Sequence, residues 1–268
     1  MADLRDRTVV VTGASSGVGA AAARRFAGLG ANVVVVGRSP ERTRMVAESI
    51  GAEHHVADFS RLDDVRALAD RLRDRHIDVL ANNAGGVATG RRLTVDGHEA
   101  TFQVNYLAPF LLTNLLLDRL TGGRVINTGS MAYRAGHLDL DHLDGPAGQR
   151  AYAPAKLAVL LFTRELARRT DSLTVAAFHP GFVASDLFRA NPAVAWLVRL
   201  SRPVLSSPEQ GAEPLIHLAT AADPRSIHGA YFHKLRREEP RHRQVADPQF
   251  ARRLWEVSAR MTGVPADI

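Results

Sequence analysis

Cysteine is absent from this chain of 268 residues. Without cysteine, the chain has no disulfide, no thiolate metal site and no cysteine nucleophile. It also lacks an apolar run of about 18 residues, the length that crosses a membrane, and its N-terminus, Met1–Asp6, lacks the pattern of a signal peptide. We therefore expect no membrane insertion and a cytoplasmic location.

Lysine is almost absent, because only Lys156 and Lys234 accompany 32 arginines in a chain with a formal net charge of +6. A basic chain can indicate a nucleic-acid-binding protein. Here the arginines are mixed with aspartates, as in 61–75, which is typical of a solvated helix face with local ion pairs. We therefore expect a small-molecule substrate and no nucleic-acid partner.

Strand-like and helix-like segments alternate along the chain, which predicts an α/β fold: one domain over residues 1–268, built on a doubly wound parallel sheet of about seven strands with helices on both faces. The predicted strands lie near 7–12, 32–37, 53–57, 77–82, 124–129, 173–179 and 229–233. The predicted helices lie near 17–29, 41–50, 61–75, 97–119, 151–170, 208–222 and 247–261.

One segment, 185–207, interrupts this alternation after the sixth predicted strand. It places apolar side chains among arginines and prolines, at a point in open α/β sheets where loops commonly cover a ligand. We interpret it as a lid over the substrate, and the alternative is an ordinary pair of surface helices.

A glycine-rich turn follows the first predicted strand. Residues 12–19 read Thr-Gly-Ala-Ser-Ser-Gly-Val-Gly and lead into an alanine-rich helix, and the next strand follows at 32–36. Glycines let the backbone approach a pyrophosphate, and the N-terminus of the helix offers free N–H groups and a positive dipole end. The segment therefore predicts the βαβ unit of a Rossmann-type dinucleotide site, with a plain connecting turn as the alternative.

The end of the second predicted strand, Val36-Gly37-Arg38-Ser39, carries no acidic residue. Sites for NAD usually place Asp or Glu there to bind the ribose 2′-hydroxyl. Arg38 can instead bind a 2′-phosphate in a bidentate manner, and Ser39 can assist. NADP(H) is therefore predicted in preference to NAD(H), with a surface arginine that binds no ligand as the alternative. On the same reasoning, changing Gly37 to Asp and Arg38 to Leu together is expected to reverse the preference.

Tyr152 and Lys156 lie four residues apart in the predicted helix 151–170, so they share one face. An ammonium near a phenol favours the phenolate and lowers its pKa toward the range of an acid–base catalyst. Pro154 stands between them and is tolerated only in a first helical turn, so the helix is expected to begin near Ala151. Taken alone, the pair also fits a solvated helix face.

Histidines do not form a convincing metal set in this sequence. His137 and His142 lie five residues apart in a predicted loop, and His179 precedes a proline at a strand end. We therefore predict no metal site and expect these side chains to be structural or to line a substrate pocket.

Together these features resemble the short-chain dehydrogenase/reductase family. The matching segments follow in order along the chain: Thr12–Gly19, Asn82-Asn83-Ala84-Gly85, Asn105, Ser130, Tyr152 with Lys156, and Pro180-Gly181-Phe182-Val183. Passages such as Val104-Asn105-Tyr106-Leu107 and His179-Pro180-Gly181 resemble the retinol-dehydrogenase-like branch of that family.

The resemblance implies hydride transfer between a nicotinamide and a carbonyl or alcohol carbon. It implies that Tyr152 is the acid/base, that Ser130 bonds the reacting oxygen, that Lys156 holds the nicotinamide ribose, and that Asn105 positions a water in a proton relay. The alternatives are a turn residue for Ser130 and a helix-interior amide bonded to backbone for Asn105. The implied cofactor-binding set is Gly13, Ser15, Ser16, Gly17, Val18, Gly19, Arg38, Ser39, Asp58, Phe59, Asn83, Ala84, Gly85, Tyr152, Lys156, Pro180, Gly181, Val183 and Ser185. Ser185 stands where the family often has threonine.

The function expected from this resemblance is an NADP(H)-dependent oxidoreductase acting on an apolar or aromatic carbonyl/alcohol pair. One alternative is an epimerase or dehydratase that uses the nucleotide internally, and another is a catalytically silent NADP-sensing protein. Silent members usually lose the tyrosine or the lysine, and this chain has both. Family members commonly pair through two long helices, here near 97–119 and 151–170, so a homodimer or homotetramer is expected. The apolar residues of these helices fit equally well with burial inside one subunit.

Overall fold

The structure is a computed structural model that describes residues 3–88, 90, 92–143, 148–183 and 206–267. Residues 185–205 of the predicted lid, Ser185 among them, lie outside the described residues.

A single mixed sheet organises the described chain. Its strands are β1 (Thr8–Thr12), β2 (Asn32–Gly37), β3 (Glu53–Val56), β4 (Val79–Asn82), β5 (Arg124–Thr128), β6 (Thr174–His179), β7 (Ala230–His233) and β8 (Arg236–Glu238). They are arranged in the order β3-β2-β1-β4-β5-β6-β7-β8. The first seven run parallel, and β8 pairs antiparallel with β7. The predicted doubly wound sheet is confirmed, and the strand order reverses between β1 and β4, where ligands bind in such sheets.

The eighth strand was not predicted, because Arg236-Arg237-Glu238 is a short charged segment with no apolar alternation. The helices are α1 (Gly17–Ala27), α2 (Pro40–Glu48), α3 (Leu62–Leu72), α4 (Ala100–Phe102), α5 (Ala108–Leu115), α6 (Gln149–Arg169), α7 (Pro208–Ala219) and α8 (Pro248–Thr262). Shorter 3₁₀ turns lie at Leu117–Arg119, Met131–Ala135 and Pro224–Ile227.

The core has two halves, one on each face of the sheet. Alanines of α1 and leucines of α7 pack with Val9, Val11 and Phe178 on one face. Side chains of α3, α5, α6 and α8 pack with Val10 and Val125 on the other. The alternation of strand side chains between the two faces therefore buries the sheet on both sides.

The predicted helix 97–119 is interrupted, because a π-helical turn, Gln103–Leu107, joins α4 to α5. Buried Glu99 caps α4: its Oε2 accepts a hydrogen bond from Phe102 N (2.8 Å) and its Oε1 accepts one from Gly148 N (3.1 Å). Burial raises the pKa of the Glu99 carboxyl, and these backbone hydrogen bonds oppose the rise. One carboxyl group therefore joins the helix that carries Asn105 to the start of α6.

The C-terminal helix α8 covers the outer side of α5 and α6. The Trp255 ring lies 4.9 Å from the Phe110 ring and 5.8 Å from the Phe162 ring, measured between centroids. Its Nε1 donates to the Ala266 carbonyl oxygen (2.9 Å). For these aromatic residues, burial inside one subunit is what the structure shows, and the oligomeric state stays a prediction.

None of the helices in the described ranges is long and apolar enough to span a membrane.

Candidate active site

The glycine-rich turn links β1 to α1 at the point where the strand order reverses. Gly13 and Gly17 have φ values of +67° and +55°, in the left-handed region that favours glycine. Ser16 is the N-cap of α1, and its side chain makes no capping hydrogen bond. A Cβ added at Gly19 would lie 2.5 Å from the Gly13 carbonyl oxygen, so the turn is tight. Free N–H groups at this helix start fit a pyrophosphate.

Thr12 hydrogen-bonds the second predicted cofactor segment, Asn83-Ala84-Gly85, and so holds it next to the glycine-rich turn. Its Oγ1 accepts hydrogen bonds from Asn83 N and Ala84 N, both at 3.0 Å, and donates to the Ala81 carbonyl oxygen (3.1 Å). The side-chain Nδ2 of Asn83 donates a hydrogen bond to the Thr12 carbonyl oxygen (3.0 Å). Thr12 was not among the predicted site residues, although it is the first residue of the glycine motif. Its role depends on contacts about 70 residues away, which the motif does not reveal.

The exposed side chain of Arg38 follows the end of β2, beside the glycine turn. A Cβ added at the neighbouring Gly37 would lie 2.9 Å from Ser15 Cβ and 2.5 Å from Thr43 Oγ1. Ser15 therefore lies close to the end of β2, and Ser39 is the N-cap of α2. A side chain at position 37 would have to displace Thr43 or Ser15. The expectation that Gly37→Asp helps to reverse cofactor choice stays a prediction.

Asp58 and Phe59, which follow β3, are placed differently from one another. Asp58 is partly exposed, and its carboxylate accepts from Ser60 N (2.9 Å). The Phe59 side chain is buried in the core, and its carbonyl oxygen accepts from Gln103 Nε2 (3.3 Å). Only the backbone of Phe59 is therefore available to a nucleotide.

Ser130, Tyr152 and Lys156 are brought together beyond the end of β5. The Ser130 hydroxyl lies near the Tyr152 phenol and acts on its pKa, and Ser130 Oγ accepts a hydrogen bond from Ala132 N (3.2 Å). The Lys156 side chain is buried, and its Nζ donates to the Thr128 carbonyl oxygen (2.9 Å). Lys156 Nζ lies 5.6 Å from the centroid of the Tyr152 ring. Three of the four predicted catalytic residues, Ser130, Tyr152 and Lys156, therefore form one group.

The pKa values of this group differ from the sequence-based expectation. Burial raises the pKa of the Tyr152 phenol, and the nearby Ser130 hydroxyl opposes the rise. Burial lowers the pKa of the Lys156 ammonium to about 8. A net lowering of the Tyr152 pKa by Lys156 was expected and is not seen, because the ammonium is bonded to Thr128 and desolvation of the phenol dominates.

Asn105 lies in the π-helical turn, and its amide is engaged with the backbone. Its Nδ2 donates to the carbonyl oxygens of Gly86 and Thr101, each at 2.7 Å, and its Oδ1 accepts from Gly86 N (3.3 Å). A Cβ added at Gly85 would lie 3.6 Å from Lys156 Nζ. The side chain of Asn105 therefore holds the 85–86 backbone beside Lys156, and the predicted water-positioning role stays a prediction. Wide π turns are frequent at functional sites.

Helix α6 begins at Gln149, two residues earlier than expected, and Pro154 therefore lies in its second turn. The expectation that Pro154 occupies the first turn is wrong. The reason is the preceding Gly148, which has a φ of +58° and whose N–H is held by Glu99. The proline removes the hydrogen bond to the carbonyl of Arg150, and Arg150 is exposed, so water can solvate that group.

The last predicted cofactor segment follows β6 and approaches the first. Pro180 and Gly181 come directly after β6, and Gly181 has a φ of +87°. A Cβ added at Gly211 of α7 would lie 2.7 Å from Val183 Cγ2 and 2.9 Å from Val18 Cγ2. Helix α7 therefore brings Val183 close to the start of α1. These contacts leave the predicted residues of the described chain in one continuous region.

Two further residues lie near this region: His179, which was expected to be structural or to line a substrate pocket, and Tyr231, which the sequence did not single out. His179 ends β6 and Tyr231 lies on β7, and both are buried. Burial lowers the pKa of His179 to about 4, and the nearby charges of His233 and Lys156 act in the same direction. The sequence feature that points to His179 is its place before Pro180-Gly181. No sequence pattern points to Tyr231.

His142 is exposed and pairs with Asp139, with 3.0 Å between Nδ1 and Oδ2. Among the described residues, no group of three or more His, Asp or Glu side chains could hold a metal ion.

Comparisons with known proteins agree with this geometry. The family model described as short chain dehydrogenase matches residues 7–194. A putative daunorubicin C-13 ketoreductase, DnrU, of Streptomyces sp. (strain C5) is 43% identical, and the alignment covers 97% of this chain and 94% of that protein. Human retinol dehydrogenase 13 is 36% identical, with 99% of this chain and 87% of that protein covered.

Solved structures are similar as well. A putative uncharacterized protein from Mycobacterium paratuberculosis has a TM-score of 0.82 and 33% identity, covering 100% of this chain and 97% of that one. A putative NAD(P) dependent gluconate 5-dehydrogenase from Beutenbergia cavernae, with bound NADP, has a TM-score of 0.68 and 30% identity, covering 86% of this chain and 96% of that one.

Proposed function

We propose that this chain transfers a hydride between NADP(H) and an apolar or aromatic carbonyl/alcohol substrate. The chain belongs to the short-chain dehydrogenase/reductase family, in its retinol-dehydrogenase-like branch, and is an oxidoreductase of that family. One observation carries the proposal. Ser130, Tyr152 and Lys156 form a single group, and Lys156 Nζ lies against Gly85, in the segment that Thr12 fastens to the glycine turn.

The proton chemistry falls to Tyr152 and Ser130. The raised pKa of Tyr152 keeps the phenol protonated at neutral pH, so its hydroxyl can donate a proton to a carbonyl oxygen. Ser130 Oγ hydrogen-bonds the same oxygen and stabilises the charge that develops on it. The buried ammonium of Lys156 stabilises the phenolate that remains. When bound, the nicotinamide supplies the hydride for reduction or accepts it for oxidation.

The nucleotide site fits the residues present. The pyrophosphate would lie at the start of α1, where Gly13 and Gly17 form the turn. Arg38 and Ser39 would hold the 2′-phosphate of NADP, and the absence of an acid at 36–39 leaves NAD without its usual partner. The NADP bound by the Beutenbergia cavernae protein supports this choice.

The substrate class is supported by the edge of the site and by the relatives. Phe182, which is 70% exposed, follows the Pro180-Gly181 segment and lies with its ring centroid 6.0 Å from that of His179. Leu235, 51% exposed, lies in the turn between β7 and β8. These apolar side chains would contact an apolar substrate. The relatives are named for a ketone and for retinol.

A turnover assay tests the proposal. The purified chain is mixed with NADPH and a panel of aromatic ketones and aldehydes, and NADPH absorbance and alcohol product are followed together. We expect one alcohol formed for each NADPH consumed. Product without net NADPH consumption would identify an epimerase or dehydratase, and NADPH binding without any product would identify a sensing protein.

A further inference from the structure

Three buried polar atoms without a hydrogen-bond partner lie next to the proposed reaction site. They are both ring nitrogens of His179 and the hydroxyl of Tyr231. Within the described chain, the only other buried side-chain atoms in this state are the amide oxygens of Asn82 and Asn114. Buried polar groups are nearly always paired, and an unpaired group loses its hydration without compensation. Three such atoms on two neighbouring strands therefore need an explanation.

Burial alone does not prevent pairing in this protein. The ring of His242, which is only partly buried, bonds through both nitrogens, to the Gly136 carbonyl oxygen (3.0 Å) and to Gln244 N (3.2 Å). The fully buried Tyr106 pairs its hydroxyl with Ser258 Oγ at 2.6 Å. The unpaired atoms are thus a local property of the strand ends near Ser130.

The strand register brings His179 close to the catalytic serine. Thr128 of β5 pairs with Phe178 of β6, so the next residues in register are Gly129 and His179, one position before Ser130. Neighbouring strands lie about 4.8 Å apart. The 5%-exposed His179 therefore lies about one strand spacing from the residue that precedes Ser130.

Tyr231 reaches the same place from β7. Its Cε2 atom would lie 3.4 Å from a Cβ added at Gly129, so the ring extends across β6 toward β5. It crosses above Ala177, the small residue that pairs with Tyr231 on β6. The side chain is 1% exposed. The Tyr231 ring therefore lies beside Gly129, the residue that precedes Ser130.

The two groups are neutral at physiological pH. The pKa of His179 is lowered to about 4, and that of Tyr231 is raised by burial. A neutral imidazole offers one donor and one acceptor, and a phenol offers both as well. A hydroxyl group, which donates and accepts at once, complements this set in either tautomer of His179.

We propose that His179 and Tyr231 form a subsite for a neutral hydroxyl group of the substrate, next to the carbonyl that is reduced. The substrate is then a hydroxy ketone with its hydroxyl one or two carbons from the carbonyl, and the product is a diol. This inference rests on the proposed function, which it deepens by naming the substrate class.

Binding to the complex with NADP⁺ tests the subsite without turnover. Calorimetry compares 2-hydroxyacetophenone with acetophenone, and 3-hydroxypropiophenone with propiophenone. Two new hydrogen bonds should make at least one hydroxylated ketone bind about 10- to 100-fold more tightly than its deoxy partner. Tyr231→Phe and His179→Leu should each reduce this preference, and the double variant should abolish it.

Tyr106→Phe is the matched control, because it removes an equally buried hydroxyl that already has a partner. It should retain the preference and unfold at a lower temperature than the parent. Tyr231→Phe should unfold at the temperature of the parent or above, because it removes an unpaired group. A clear fall in its unfolding temperature would mean that the hydroxyl is bonded in the resting protein, and would overturn the inference.

The remaining outcomes separate the inference from the proposed function. Equal binding of each ketone pair, or binding of neither member, overturns the subsite, and continued reduction of the ketones would leave the proposed function intact. A loss of NADP⁺ affinity in Tyr231→Phe and His179→Leu with no ketone preference assigns the groups to the nucleotide instead. A ketone preference in binding with no reduction retains the subsite and removes the proposed function.

Discussion

The ammonium of Lys156 lies 5.6 Å from the centre of the Tyr152 ring but gives its hydrogen bond to the end of β5, at the Thr128 carbonyl oxygen. The contact between the two catalytic candidates is therefore one of charge with an aromatic ring. Burial then decides both proton equilibria, because it disfavours the phenolate of Tyr152 and the ammonium of Lys156 alike.

The Lys156 pKa can be measured directly, because the chain has only one other lysine. In a Lys234→Arg variant with ¹⁵N-labelled lysine, the single side-chain signal belongs to Lys156. We expect it to titrate near pH 8, since burial lowers its pKa to about 8. A titration at the ordinary lysine value of about 10.4 would show that Lys156 is solvated.

Tyr152→Phe should lower turnover by about 100-fold or more, because the proton donor is lost while the shape of the ring is kept. NADPH affinity should stay close to that of the parent. Stopped-flow kinetics measures the turnover, and fluorescence titration measures the NADPH affinity. Tyr106→Phe, whose hydroxyl faces Ser258 in the core, serves as the control for the loss of a buried phenol. Turnover within threefold of the parent would remove Tyr152 from the catalytic role.

Arg38→Leu should reduce the preference for NADPH over NADH. A charge-assisted contact with the 2′-phosphate contributes about 1.5–3 kcal/mol, which corresponds to about 10- to 150-fold in kcat/KM. Arg44→Leu is the control, since Arg44 is also exposed on this side of the sheet and pairs with Glu48. Equal use of both nucleotides by the parent would show that Arg38 points to solvent. The change Gly37→Asp is unsuitable for this test, because it would place a Cβ against Thr43 and Ser15.

His179 should make the protein less stable in mild acid. Its folded pKa of about 4 lies below the unfolded value of about 6.5. Its contribution is therefore present above about pH 6.5 and is lost as the pH falls toward about 4. Lys156, Lys234 and His233 favour its neutral form, and Glu238 opposes them.

The His179→Leu variant isolates this contribution. Between about pH 7 and about pH 4, the parent should lose about 2–3 kcal/mol more unfolding free energy than the variant. Urea unfolding at several pH values measures this difference. Parallel pH profiles for the two proteins would show that His179 is solvated or protonated in the folded state.

The sequence was sufficient for those parts of the fold that depend on local pattern. Buried apolar runs marked β1, β2 and β4 to β7, whereas β3 reads Glu-His-His-Val and is mostly exposed. The glycine turn was recognised because positive φ values and close approach restrict the residues allowed there. The features that the sequence did not predict depend on contacts between residues far apart in the chain. The N–H of Gly148, held by the distant Glu99, sets the early start of α6 and therefore the position of Pro154.

The site shows the same division between local and distant information. Spacing along one helix placed Tyr152 and Lys156 on one face, but the carbonyl oxygen that accepts the hydrogen bond of Lys156 belongs to β5. Tyr231 reaches the site only because Ala177 and Gly129, from two other strands, leave space for its ring. No pattern within the segment around Tyr231 encodes that space.

The packing of α8 makes the folding of one face of the molecule independent of protein concentration. Trp255 lies against Phe110 and Phe162, and the Arg169 guanidinium lies 4.6 Å from its ring. Stability that depends on a partner rises with the amount of partner present, whereas an intramolecular contact persists on dilution. The aromatic face of α5 and α6 is therefore shielded from water in every single copy. A contact between two copies through Phe110 and Phe162 would require Trp255 to move away from both rings.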